Sequence, residues 1–201
     1  MNKLGFIGMG NMAQALAAGF IKAKAIAPEK VFAFAPNQEK LQRNAKAIGF
    51  TPVANLAALA DAADTLIMAC KPYQIASVLK DFGQKLNGKA LISVAAGWDM
   101  AHYQKFLQTD TRLQFVMPNT PALVGEGVLL FEESNSLEPA ERQQIMQLFA
   151  SVGLVQELPS NLMGIGGTVT GCGPAFVDLF IEAYGDAAVK YGLKRDDVYR
   201  L

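Results

Sequence analysis

The chain has 201 residues, of which 51% are hydrophobic, and its 18 basic and 18 acidic residues give a formal net charge of zero. A balanced charge without a strongly basic segment argues against nucleic acid or an anionic membrane as a partner. The two cysteines, Cys70 and Cys172, and the one histidine fit no metal-ligand spacing, so no metal site is predicted.

The first stretch of the chain combines a short strand, a glycine turn and a helix. Residues 4–7 form an apolar run typical of a strand buried in a parallel sheet, and from Met12 onward apolar residues recur at helical spacing. The turn between them reads Gly8-x-Gly10-x-x-Ala13, the dinucleotide-binding fingerprint. It predicts a phosphate site at the start of the helix, where free N–H groups and the helix dipole favour anions.

The remainder of the first 159 residues alternates strands with helices. Further strands are predicted at residues 31–35, 51–54, 65–69, 90–94, 113–117, 127–131 and 152–156. Asn55 and Asp99 are expected to cap two helices, and Pro72 and Pro139 to open two others. Strand–helix alternation of this kind predicts an α/β fold, a doubly wound parallel (Rossmann) sheet, over residues 1–159.

The pattern changes after Pro159. Five glycines crowd residues 164–173, a segment interpreted as a loop, and Pro174 is expected to open a long helix. A shorter helix is predicted from Asp196. We therefore predict a second, all-helical domain over residues 160–201, which looks truncated.

The sequence also carries expectations about location. The longest apolar stretch, residues 163–181, is interrupted by glycines, a proline and an aspartate, so it is not interpreted as a membrane span. Residues 1–8 already encode a core strand and the phosphate turn, so no cleavable leader is expected. A cytoplasmic protein is predicted.

Four predicted strands end in small or special residues at the carboxyl edge of the sheet, where ligands bind in open α/β folds. These ends outline a cofactor groove formed by residues 8–12, 35–37, 69–72 and 94–97. The second strand ends in Ala35-Pro36-Asn37, where an acidic side chain would select NAD. NADP (as NADPH) is therefore favoured and NAD is admitted, with Asn37 and Lys40 as candidate contacts to the 2′-phosphate.

Five motifs follow one another along the chain: Phe6-Ile7-Gly8-x-Gly10-Asn11-Met12-Ala13, Lys71-Pro72, Ser93-Val94-Ala95-Ala96-Gly97, Met117-Pro118-Asn119-Thr120-Pro121 and Thr170-Gly171-Cys172-Gly173-Pro174-Ala175-Phe176. Together they resemble the pyrroline-5-carboxylate reductase family. The last two motifs, with their spacing, carry most of the specificity. Cys172 stands where that family usually has a serine.

The resemblance implies hydride transfer from NADPH to C5 of 1-pyrroline-5-carboxylate, which gives L-proline in the last step of proline biosynthesis. It also implies a dimer or higher homo-oligomer built through the helical domain. The family's cofactor contacts map onto Ile7, Gly8, Gly10, Asn11, Met12, Ala35, Asn55, Ala69, Cys70, Lys71, Pro72, Ala95, Ala96 and Gly97.

On the substrate side the resemblance implies Asn119, Thr120 and Thr170, and it supplies no certain general acid. Positioning of the nicotinamide against C5 is expected to do most of the catalytic work. Family members continue into further helices with a Ser-Pro-Gly-Gly-Thr-Thr stretch that receives the substrate carboxylate, which is why the helical domain is expected to be truncated.

Two other interpretations stay open. A β-hydroxyacid dehydrogenase-like oxidoreductase shares the fingerprint and a helical second domain, but it would carry a catalytic lysine where this chain has Phe176 and Val177. A non-catalytic NADP-binding module would use the glycine-rich segment only as a hinge.

Overall fold

The computed structural model describes residues 3–98, 100–107 and 109–201. The chain divides into two units, one that extends to Met163 and one over Gly164–Leu201. Asp99, predicted to cap a helix, lies outside the described residues.

The first unit alternates strands and helices. Its strands are β1 Leu4–Ile7, β2 Val31–Phe34, β3 Thr51–Pro52, β4 Thr65–Met68, β5 Ala90–Ser93, β6 Arg112–Met117, β7 Gly127–Asn135 and β8 Gly153–Leu158. Its helices are α1 Asn11–Lys22, α2 Gln38–Ile48, α3 Leu56–Ala62, α4 Pro72–Phe82, α5 Met100–Gln104 and α6 Pro139–Ala150.

The strands described here form one sheet in the order β3-β2-β1-β4-β5-β6-β7-β8. The predicted doubly wound Rossmann architecture is confirmed, with one difference: β7 runs antiparallel to β6, and β8 is parallel to β7. The cause is the short link between β6 and β7, residues 118–126, which holds only a 3-10 turn. A parallel crossover needs a dozen or more residues, so the chain must reverse there.

The core lies on both faces of this sheet, as the nearly continuous apolar strands require. On one face Phe20 and Phe131 pack edge-on against Phe149, with ring centroids 5.2 and 5.3 Å apart. The other face buries Leu66 beneath α3 and α4, and α5 contributes the buried Tyr103 to the same cluster. Packing on both faces makes the sheet a rigid base for the loops at its edge.

The second unit is helical, with α8 Gly173–Lys190 and α9 Arg195–Val198. The segment interpreted as a glycine loop is helical as well, so that expectation is wrong. It comprises α7 Met163–Gly167 and a π-helical turn over Thr168–Cys172. Pro174 lies in the first turn of α8, where its missing N–H is tolerated, and the π-helical turn leads directly into that helix.

The helical segment Ser160–Lys190 is apolar and long. By length and composition alone it could cross a bilayer, since an 18-residue window within it has a mean hydropathy of 1.3. Phe176, Phe180 and Tyr184 lie four residues apart along α8 and are exposed by 69%, 64% and 68%. Contiguous exposed apolar surface of this kind marks a site of association.

Candidate functional site

The site begins where the chain order of the sheet reverses, between β1 and β4. Hydrogen bonds extend the ladders into the loops: Ala69 N–H donates to Ile7 O at 2.9 Å, and Val94 N–H donates to Met68 O at 3.1 Å. Gly8 N–H donates to the carbonyl oxygen that ends β2 at 2.8 Å. The loops after β1, β2, β4 and β5 therefore meet at one edge, the position where open α/β sheets bind ligands.

Gly8 and Gly10 serve this edge in different ways. Gly8 has φ +96°, and a Cβ there would lie 2.8 Å from the backbone nitrogen of Cys70, so only glycine fits. A Cβ on Gly10 would meet nothing within 4 Å. Gly8 thus lets β1 and the β4 loop approach closely, whereas Gly10 leaves open space at the start of α1.

That open space suits the pyrophosphate of a dinucleotide. Gly10 is the N-cap of α1 and carries no side-chain oxygen to occupy the N–H groups of the first helical turn. Asn11 and Met12 begin that turn, and the 12-residue helix directs its positive dipole end at the gap. The amide of Gln14 donates to Met9 O at 3.1 Å and steadies the turn from behind.

The end of β2 carries no acidic side chain in residues 35–37. Ala35 is half-buried, and its carbonyl accepts the amide of Gln38 at 2.9 Å. Asn37 caps α2, with its Oδ1 accepting the N–H of Lys40 at 2.8 Å. Lys40 is exposed beside this cap, so a 2′-phosphate would meet no carboxylate from residues 35–37 there.

The end of β4 forms the next wall. Lys71 is the N-cap of α4, Pro72 takes its first position, and the N–H of Lys71 donates to the amide oxygen of Gln74 at 3.2 Å. Burial raises the pKa of the half-buried Cys70 thiol to about 11. Cys70 is therefore a neutral thiol near pH 7 that packs against the core, and it is not a nucleophile.

The end of β5 closes the groove on the other side of β4. Ala95 is buried, while Ala96 and Gly97 are exposed and Gly97 has φ +79°. Beneath this turn, Ser93 Oγ lies 2.8 Å from the hydroxyl of Tyr103 and accepts the N–H of Ala95 at 3.3 Å.

The predicted substrate-side residues fall in both units. Asn119 is buried, and its Oδ1 accepts the N–H of Val128 at 2.8 Å. Thr120 is exposed at the start of the 3-10 turn Thr120–Val124. Thr170 lies in the π-helical turn, where its hydroxyl donates to Gly166 O at 3.0 Å.

Asn55, predicted as a cofactor contact, is the N-cap of α3. Its Oδ1 accepts the N–H of Ala58 at 2.8 Å, as the sequence predicted for a cap, and the residue is exposed at the carboxyl edge. The structure adds three supporting residues that the sequence analysis missed: Gln14, Gln38 and Tyr103. The two glutamines follow the motif residues closely and could have been suspected, but the Tyr103–Ser93 contact joins two separate elements and left no local signal.

Two family models match this chain. Residues 3–97 match the family described as NADP oxidoreductase, coenzyme F420-dependent. Residues 160–201 match the pyrroline-5-carboxylate reductase dimerisation family. The first match covers the loops after β1, β2, β4 and β5, and the second covers α7, α8 and α9.

Individual relatives agree with these matches. The chain is 38% identical to the pyrroline-5-carboxylate reductase of Treponema pallidum, over 98% of this chain and 76% of that protein. It is 33% identical to the pyrroline-5-carboxylate reductase of Methanosarcina acetivorans, over 99% of this chain and 74% of that protein. Among solved structures, the Plasmodium falciparum pyrroline carboxylate reductase with NADP bound superposes with a TM-score of 0.88 at 34% identity, covering 98% of this chain and 72% of that one.

Proposed function

The chain belongs to the pyrroline-5-carboxylate reductase family, and we propose that it reduces 1-pyrroline-5-carboxylate to L-proline with NADPH as the hydride donor. One observation carries this proposal: the 38% identity to a reductase of that name extends over 98% of the chain, so it includes both the groove and the helical unit. The open phosphate turn at Gly10 and the acid-free end of β2 support the choice of cofactor.

Different groove residues bind different parts of NADPH. The first turn of α1, from Asn11, receives the pyrophosphate on its N–H groups, and Gly10 leaves the room for it. Asn37 and Lys40 lie where the 2′-phosphate of NADPH is expected. The loops at residues 69–72 and 95–97, with Asn55, form the remaining walls. When bound, the cofactor supplies the hydride.

The substrate is a cyclic imine, which in its protonated form is already a good electrophile. The chain therefore has to position rather than activate it. We assign Asn119, Thr120 and Thr170 to the substrate side.

We also propose an assignment of the two regions. Residues 1–159 form the NADP-binding domain, and residues 160–201 belong to the helical domain that builds a homodimer and completes the substrate site. The exposed stripe of Phe176, Phe180 and Tyr184 supports this role, as does the dimerisation family match. A dimer interface accounts for the apolar helix Ser160–Lys190 without a membrane.

The cytoplasm is the proposed location. Both cysteines, Cys70 and Cys172, are free thiols, as expected in a reducing compartment. A reductase that consumes NADPH also depends on the intracellular supply of that cofactor.

A direct assay tests the reaction. Purified protein is mixed with NADPH and 1-pyrroline-5-carboxylate, and both proline formation and NADPH oxidation are measured. We expect proline in a 1:1 ratio to oxidised cofactor, with NADH the poorer donor. A β-hydroxyacid dehydrogenase would leave the imine unreduced and oxidise a 3-hydroxyacid, whereas a binding module would bind NADPH without turnover; either result would contradict the proposal.

A further inference from the structure

A buried pair of hydroxyl groups lies directly beneath the turn that ends β5. Ser93 and Tyr103 are both 0% exposed, and their oxygens are 2.8 Å apart. Ser93 is the last residue of β5, whereas Tyr103 comes from α5, so the contact joins the sheet to the helix that follows the turn.

The Oγ of Ser93 also accepts a hydrogen bond from the backbone of the turn. The ladder between β4 and β5 ends with Val94, whose N–H donates to Met68 O. Ala95 is the next residue and is buried, so its N–H needs a partner other than water. Ser93 Oγ provides it at 3.3 Å, in a bond between residues two apart.

Tyr103 limits the freedom of that serine. A serine hydroxyl rotates about its Cβ–Oγ bond, and its Oγ can adopt three rotamers. The ring of Tyr103 is fixed by packing against Trp98, with ring centroids 5.1 Å apart, and by its place in the core. Burial raises the pKa of the Tyr103 hydroxyl, so the hydroxyl keeps its proton at any working pH.

We propose that Tyr103 is a positioning residue for the cofactor, which acts through Ser93 to hold residues 95–97 in the conformation that receives NADPH. The inference rests on the proposed function, since it assigns a role to the tyrosine in forming the same groove. Gly97, with φ +79°, gives the turn a conformation that is easily lost without such support.

The test uses the full chain and a substitution that removes only one oxygen. Tyr103→Phe keeps the ring and its contact with Trp98. We expect the Kd of NADPH, measured by fluorescence titration, to rise about fivefold, the loss of roughly one hydrogen bond. The KM for NADPH should rise in parallel, while kcat at saturating NADPH and the KM for the imine stay within about twofold.

Two further variants separate positioning from general loosening of the fold. Ser93→Ala should raise the Kd of NADPH at least as much as Tyr103→Phe does. The double variant should have the same Kd as Ser93→Ala alone, because Tyr103 acts only through the serine. Thr111→Val is the matched control: it removes another buried hydroxyl, bonded to Leu86 O at 3.2 Å before the start of β6, and should lower Tm without changing the Kd.

The outcomes are distinguishable. If the unaltered protein binds no NADPH, the proposed function fails and this inference with it. If the unaltered protein binds NADPH and reduces the imine but Tyr103→Phe has the same Kd, the inference alone is overturned. Additive effects in the double variant, or an equal loss of affinity in Thr111→Val, would also overturn it.

Discussion

The two units differ in the burial of their large apolar side chains. In the first unit Phe20, Phe131 and Phe149 are completely buried within the sheet and its helices. In the second unit Phe176 and Phe180 are exposed by 69% and 64%. Burial of a phenylalanine contributes about 1.5–3 kcal/mol, so the first unit obtains this stabilisation from its own chain and the second does not.

The difference indicates where each unit finds its stability and its function. A core buried on both faces of a sheet holds loops in place, which suits the binding of a large cofactor. A helix whose aromatic residues lie on the surface needs another surface to cover them. The predictions below test this division, from the largest expected effect to the smallest.

The largest effect is expected for assembly. Phe180→Asp places a charge on the exposed stripe of α8 and should convert the proposed homodimer to a monomer, since an unpaired carboxylate is costly to bury in an interface. Light scattering measures the mass. Tyr73→Asp, at an aromatic residue of the first unit that is exposed by 82%, is the control and should leave the mass unchanged. A wild-type protein that is monomeric at micromolar concentration would refute the assignment of this stripe.

The second prediction concerns the phosphate turn. Gly10→Val should weaken NADPH binding at least about a hundredfold, because its side chain fills the open space at the start of α1. Calorimetric titration measures the affinity, and Tm should hardly change, since Gly10 has φ −79° and no neighbour in reach of a Cβ.

Gly8→Ala is the counterpart to that variant. It forces a Cβ to within 2.8 Å of Cys70 N at φ +96°, so it should lower the free energy of unfolding by about 1–3 kcal/mol. For the preceding variant, Gly10→Val, full NADPH affinity would mean that the cofactor binds away from the start of α1.

The third prediction concerns the half-buried thiol of Cys70 after β4. In Cys172→Ser, Cys70 is the remaining cysteine, and its pKa is raised by burial from 9.0 to about 11. At pH 8 the reactive thiolate should therefore be about a hundredfold scarcer than in the urea-unfolded protein, and alkylation by iodoacetamide correspondingly slower. The rate should rise about tenfold for each pH unit up to roughly pH 11. Equal rates in folded and unfolded protein at pH 8 would contradict the burial of this thiol.

The smallest effect is expected for cofactor choice. Ala35→Asp places a carboxylate at the end of β2 and should weaken NADPH binding about tenfold while NADH binding is kept. Ala47→Asp puts the same charge on an exposed position of α2, away from the strand end, and should change neither affinity. Unchanged discrimination between NADPH and NADH in Ala35→Asp would show that the 2′-phosphate lies away from this loop.

Much of the first unit could be predicted from the sequence because its signals are local. The fingerprint at Gly8 and Gly10, the cap at Asn55 and the opening of α4 at Pro72 each depend on neighbours within a few residues. The reversal of β7 depended instead on the length of a connection, and the Ser93–Tyr103 contact on the packing of a helix over the sheet. Neither has a local pattern.

The second unit was harder to predict for a related reason. Five glycines within residues 164–173 are typical of a loop, yet this segment is helical. Thr168 and Thr170 donate to the carbonyls of Gly164 and Gly166, and these bonds lie within the helical backbone itself. Glycine content reports conformational freedom, and it does not by itself exclude a helix.

The π turn at Thr168–Cys172 also sets the phase of the helix that follows. Each α-helical residue advances the helix by about 100°, so loss of one residue from this turn would rotate all of α8 by that angle relative to α7. The Phe176–Phe180 stripe would then face a different direction with its composition intact. Substitutions along this segment are expected to be tolerated more readily than any single-residue insertion or deletion, which would redirect the whole stripe at once.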